Sequence, residues 1–145
     1  MLDLLNKDEH VAHLNKTWKY VRDSKQHGFD RWVIMKEPPY EGDCEDYALT
    51  LLWLMSGKSM VNFWINVITM QAQLRRVITK KGEGHVVLRV GNLYIDNWSK
   101  RFVPWEVLER AGHKKYLWMY DPLLVIVKMS KSSLIQRMKL ISKKG

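Results

Sequence analysis

An internal disulfide bond is excluded from this chain, because Cys44 is its only cysteine. That suits a reducing compartment and leaves one thiol for any chemistry. Apolar runs long enough to span a bilayer are missing as well; Leu49 to Met55 and Leu123 to Val127 are far too short. The opening stretch MLDLLNKDEHVAHLNKTWKYV lacks the charged, apolar and small-residue blocks of a secretory signal, so a soluble cytoplasmic protein is expected. Internal repeats, linkers and low-complexity segments are also missing, and no alternation of strand and helix patterns marks a doubly wound sheet.

What is present is the material of one domain. Of the 145 residues 46% are hydrophobic and 27% charged, the balance of a single globular unit with one core. Seven Trp, six Tyr and eight Met predict a core built around large side chains, aromatics above all. The 24 basic residues outnumber the 15 acidic ones for a formal charge of +9, which favours an acidic partner: a protein, an anionic surface or nucleic acid. Because the positive residues are spread out, clustering only at Lys80-Lys81, Lys114-Lys115 and the tail from Lys139 to Lys144, they are read as solvation and steering rather than as a nucleic-acid footprint.

The spacing of Val11, Leu14, Trp18 and Val21 after Asn6 and Glu9, a pair placed like a capping box, predicts a first helix over residues 7 to 27. Pro38-Pro39 keeps the segment before Gly42 out of helix and central strand. Asp43 caps a second, strongly apolar helix that ends near Gly57 and reads as the central helix of the domain. β-branched and aromatic residues then predict strands over Met60 to Met70, Arg75 to Thr79, His85 to Val90, Leu93 to Asp96, Tyr116 to Met119 and Leu123 to Lys128, with a tight turn at Gly91-Asn92. A short helix is expected over Pro104 to Ala111, and a basic one from Ser132 with Leu134, Met138 and Ile141 on one face. The order is α+β: a helix bearing the cysteine, packed on a mostly antiparallel sheet.

Cys44 falls on the first turn of the capped helix, where the positive helix end is expected to lower its pKa. A cysteine nucleophile needs a base, and the base needs a partner that fixes its tautomer. His85 opens one strand and Asp96 ends the next, so the hairpin between them can join the two side chains and complete a Cys-His-Asp triad.

The segment GDCEDYA from Gly42, the strand HVVLRV from His85 and LYIDN from Leu93, preceded by Asp30, Trp32, Pro38 or Pro39 and Glu41, resemble the bacterial transglutaminase-like cysteine proteinases of the wider transglutaminase and papain-like group. The resemblance spans roughly residues 29 to 105. It implies a nucleophile at Cys44, a base at His85 and a third member at Asp96, and cleavage of a peptide or isopeptide amide through a thioester. The Cys44 N–H then donates to the oxyanion, with the Trp32 indole as the second donor. The triad chemistry needs no cofactor. Some members of the family, calcium-dependent proteases, bind calcium through acidic residues that correspond here to Asp43, Glu45 and Asp46. The chain departs from those proteases in its length, its missing export signal and its basic charge.

Simpler uses exist for these residues. Asp43, Glu45 and Asp46 serve a helix start, and Asp46 is placed to tie down the preceding loop; His10, His13, His27 and His113 are read as surface residues. The reading that follows is a cytoplasmic cysteine hydrolase acting on a protein or peptide, acidic in character, without membrane contact. Its size and missing targeting signal fit a phage or mobile-element product acting on a host protein. The alternatives are acyl transfer to an amine and a non-catalytic basic binding or inhibitory module on the same fold.

Overall fold

A computed structural model describes residues 2–21, 32–119 and 122–144. The first helix, α1, covers Lys7–Asn15, far short of the length the apolar spacing predicts. Asn6 stands at its N-cap without a side-chain cap bond, because its amide turns to the Asp3 carboxylate, which also meets His10 Nε2 at 3.0 Å. Val11 and Leu14 are buried as expected, but the chain then leaves the helix so that Lys19–Tyr20 (β1) pairs in parallel with Glu41–Gly42 (β2). Trp18 packs edge-on against Tyr47, with ring centroids 5.0 Å apart. Residues 22–27 of the predicted helix, and with them His27, lie outside the described residues, as does Asp30.

Helix α2, Cys44–Met55, is central in the literal sense: every one of its twelve residues is buried, Glu45, Asp46 and Thr50 among them. It rests on the sheet made by β3 (Ala72–Ile78) and β4 (Gly84–Val90), and its leucines meet Leu74, Val86 and Leu88 there. The sheet continues through β5 (Leu93–Ile95) and β6 (Val103–Pro104) on one side and β7 (Lys114–Met119) on the other, in the order β6-β5-β4-β3-β7 with every neighbour antiparallel. The β4–β5 connection is the predicted tight turn, and Gly91 takes the positive φ of 60° that it requires. Between β6 and β7 the short helix α4, Trp105–Arg110, starts after Pro104.

Two predicted strands are helices. Met60–Ile68 forms α3, capped by Ser59, whose hydroxyl accepts the Asn62 N–H at 3.2 Å. Its β-branched content pointed to a strand, which would put Val61, Phe63, Ile65 and Val67 on one face. The helix separates them: Phe63, Asn66 and Val67 are buried, while Val61, Ile65 and Ile68 are exposed. Leu123 to Lys128 belongs to α5, Pro122–Lys144, one helix that begins ten residues before Ser132, with proline at its first position. Among its described side chains Val125 and Ser132 are buried and Met129 packs beside them, while Leu134 and Met138 of the predicted apolar face point to solvent; the side chain of Ile141 lies outside the described ones. The Ser132 hydroxyl accepts the Trp32 N–H at 2.9 Å and thereby ties α5 to the segment ahead of β2.

Leucine, rather than aromatics, dominates the fully buried layer. Tyr40, Tyr47 and Phe63 are there, but so are Leu14, Leu49, Leu51, Leu52, Leu54, Leu74 and Leu88. Trp18, Trp64 and Trp105 are only partly buried, at the margin of the core. Among the described residues no helix is long and apolar enough to cross a membrane.

The α3 geometry predicts an asymmetry that a strand cannot give. Phe63→Ala is expected to cost about 3–5 kcal/mol and Ile65→Ala less than about 1 kcal/mol, measured by urea unfolding; similar losses at both positions would place them on one face of a strand.

Candidate active site

The turn from β2 into α2 is assembled by carboxylates. Asp43 accepts the N–H of Cys44 at 2.7 Å and that of Asp46, and Asp46 answers by accepting the Asp43 N–H on Oδ2 at 3.1 Å, a complete capping box. Asp46 Oδ1 accepts the Val33 N–H at 3.0 Å, and one turn further Thr50 accepts that of Met35 at 2.9 Å. Asp46 thus holds down the preceding loop, as the sequence indicates. Gly42 is required by the same contact, because a Cβ there would lie 2.6 Å from Asp46 Oδ2.

Cys44 is the first residue of α2 and is 8% exposed. Its Sγ–H donates to Glu45 Oε2 at 3.0 Å, and the backbone N–H of Val86 on β4 points at the sulfur. Burial, then the negative charges of Glu45 and Asp43, push the thiol well above its usual pKa; the Val86 N–H pulls the other way. This corrects the expectation of a thiolate favoured by the helix end. The first-turn N–H of Cys44 is already spent on Asp43, and the sulfur meets Glu45 at hydrogen-bond distance with the Asp43 carboxylate close by. The ligand atoms of Asp43, Cys44 and Glu45 all lie within 4.8 Å of one another, whereas Asp46 directs its oxygens to backbone donors instead.

The residue before Val86 is His85, near the start of β4. The β4–β5 register, Val90 opposite Leu93 and Leu88 opposite Ile95, runs out just ahead of Asp96. There His85 Nε2 and Asp96 Oδ2 meet at 2.7 Å, with side chains 4% and 1% exposed. The other oxygen of Asp96 accepts the N–H groups of Ser99 at 2.6 Å and Trp98 at 3.2 Å, a turn that aims the carboxylate. Burial acts to raise the Asp96 carboxyl, but the hydrogen bonds from His85 and Ser99 and the charge of His85 hold it below its ordinary value. Trp98 lies face to face on the His85 ring, centroids 4.3 Å apart at 16°, which limits the ring's rotation. Nε2 is therefore committed to Asp96, and Nδ1 is the nitrogen for exchange with a second partner. Trp32 is 2% exposed and belongs to the core that includes Cys44.

His113 is the residue that sequence reasoning misplaced. Far from a surface residue, it is 5% exposed, with Nε2 3.8 Å from Asp96 Oδ2 and its ring edge-on to Trp98. It follows α4 and Gly112, whose φ of 95° turns the chain into β7. A Gly-His pair at the start of a strand occurs twice, as the first residues of β4 at Gly84-His85 and immediately before β7 at Gly112-His113, and this repetition was the legible signal. Asp96 and His113, with Trp98, Arg101 and Lys80, line a pocket of about 450 Å³. His10 is partly buried against Asp3, and His13 meets the Tyr40 hydroxyl at 3.0 Å.

Two outcomes follow from this geometry. Gly42→Ala should displace the Asp46 carboxylate and lower unfolding free energy by roughly 1–3 kcal/mol in urea. His113 is the pH-sensitive group: burial first, with the charge of His85, disfavours its imidazolium more than Asp96 favours it. The folded chain therefore binds that proton less readily than the unfolded one, so the stability it contributes is full above pH 6.5 and drains as pH falls below it. In the presence of a chelator, His113→Gln should flatten the fall in thermal midpoint just below pH 6.5; an unchanged profile would assign that fall to other groups.

Curated proteins contain no sequence match to the chain. Among solved structures, Legionella pneumophila LapG in its calcium-bound form superposes with a TM-score of 0.55 at 18% identity, and a second structure of Legionella pneumophila LapG with 0.52, also at 18%. Each match covers 77% of this chain and 61% of LapG, so the likeness extends over less than two thirds of that protein, and at this identity it speaks for the fold: helices and an antiparallel sheet arranged as in a transglutaminase-like protein. Residues 4–119 match the family described as bacterial transglutaminase-like cysteine proteinase, BTLCP. That span holds the carboxylate-capped Cys44 helix, the His85–Asp96 pair and His113, and the chain belongs to the bacterial transglutaminase-like cysteine proteinase family.

Proposed function

We propose that this chain is a cysteine peptidase that cleaves an amide bond in a protein or peptide with Cys44 as nucleophile, His85 as base and Asp96 as the carboxylate that orients it. The observation that carries the reading is the buried 2.7 Å contact between His85 Nε2 and Asp96 Oδ2, one residue from the Val86 N–H that faces the Cys44 sulfur. Family membership supports the reaction class.

In this mechanism His85 takes the thiol proton on Nδ1 while Asp96 stabilises the imidazolium through Nε2. The Cys44 sulfur adds to the carbonyl carbon, His85 returns the proton to the leaving amine, and water then hydrolyses the thioester. The oxyanion forms at the start of α2, where the Cys44 N–H can receive it once Asp43 releases that hydrogen. Trp32 is the second donor in this scheme. The formal charge of +9 favours acidic stretches of substrate.

The resting arrangement holds the thiol protonated, so Asp43 and Glu45 must be relieved before attack. Their carboxylates are hard oxygen donors close to the thiol and fit a divalent cation such as calcium, with other oxygens completing its shell. Bound there, the ion neutralises the two charges that disfavour the thiolate. This chain's own part is to present both carboxylates on either side of Cys44 and to keep Asp46 engaged with backbone donors, so that the capping box survives.

The test is alkylation of Cys44 by iodoacetamide at neutral pH, with calcium or with a chelator, alongside cleavage of acidic peptides with and without an added amine. Calcium should speed alkylation of the wild type, and His85→Ala should slow it by roughly 100-fold or more. Cys44→Ala should abolish cleavage. Slow alkylation unaffected by His85→Ala would mean an inert thiol and end the peptidase reading. A product carrying the amine would redirect it to acyl transfer.

A further inference from the structure

Asp96 Oδ2 lies between two histidines. His85 Nε2 is 2.7 Å away and His113 Nε2 is 3.8 Å away. All three residues are buried, and one ligand atom from each falls within 4.8 Å of the other two. Among the described residues neither ring nitrogen of His113 has a hydrogen-bond partner, although both are shut off from solvent. Two unpaired nitrogens on one buried ring are a costly arrangement for a side chain that merely fills space. The triad employs His85 and Asp96 and leaves His113 without a task.

We propose that His85, Asp96 and His113 form a binding site for a divalent transition metal, zinc in the first place, and that its occupation switches off the base. Two imidazoles and a carboxylate are zinc ligands, whereas calcium and magnesium select oxygen alone. Zinc with bonds of about 2.0–2.1 Å to nitrogen holds tetrahedral ligand atoms roughly 3.3 Å apart. The separations of 2.7 and 3.8 Å bracket that spacing, so small side-chain shifts close the site. The pocket of about 450 Å³ that borders Asp96 and His113 supplies a way in and room for a water at the fourth position.

The chemistry of inhibition is a tautomer change. Neutral His85 presents its proton to Asp96 from Nε2. Coordination requires the lone pair of Nε2, so the proton resides on Nδ1 and the imidazole stays neutral, with no proton lost overall. An Nδ1–H donates and cannot accept, and the Cys44 thiol loses its base. The inhibitory effect rests on the proposed triad; the metal site itself does not.

Calorimetric titration of zinc into the full chain, stripped by chelator, separates the two. The wild type and Cys44→Ser should each bind one equivalent with the same affinity within about twofold, and His113→Gln should weaken binding by about tenfold or more. In the Cys44→Ser background, His113→Cys should restore tight binding and give the cobalt-substituted protein a thiolate charge-transfer band that Cys44→Ser alone lacks. Binding lost in Cys44→Ser, or unaffected by His113→Gln, would place the ion among Asp43, Cys44 and Glu45 and overturn the proposal, as would the absence of binding in the wild type. Each result stands whether or not the chain cleaves peptides.

Discussion

Asp46 joins three parts of the chain through two oxygens, one on the Val33 N–H and one on the Asp43 N–H. Because the side chain is fully buried, neither bond can be replaced by water without opening the core. The capping box positions Asp43, Asp43 holds the first N–H of α2, and the sulfur of Cys44 is thereby delivered against β4 at Val86. Gly42 is glycine because that carboxylate occupies the space of a side chain. A requirement of backbone satisfaction, rather than catalysis, thus accounts for Gly42, Asp43 and Asp46.

The same turn sets up an electrostatic conflict. Asp and Glu at a helix start suit the helix dipole, but here Glu45 also accepts the thiol hydrogen and Asp43 lies close to it, so their charges join burial in opposing the thiolate. On β4 and β5 the arrangement is reversed: Asp96 is held ionised by His85 and by the turn at Trp98 and Ser99. The turn before α2 therefore disfavours ionisation of its thiol, while the turn after β5 favours ionisation of its carboxylate.

Fold features set by local chemistry were legible in the chain. The Asp43 cap, the Gly91-Asn92 turn and the β-rich run from His85 to Val90 each depend on neighbours within a few residues, and each is found where it was expected. The failures share a cause. Met60–Ile68 and the start of α5 are rich in β-branched residues, yet Ser59 and Pro122 are helix starts, and packing of Phe63 and Val67 or of Val125 and Met129 outweighs strand propensity. Shortening of α1 follows from a distant event, the pairing of β1 with β2 across some twenty residues of sequence.

The sequence by itself determined the capped cysteine helix, the antiparallel order that follows it and the pairing of His85 with Asp96, since these rest on spacing, caps and a two-residue turn. Only the tertiary structure decided the state of the thiol and the place of His113. The pKa of Cys44 depends on desolvation by the sheet beneath it, and β7 must come to lie beside β3 before His113 reaches Asp96. Burial and long-range register are properties of the packed chain, and no local pattern of residues encodes them.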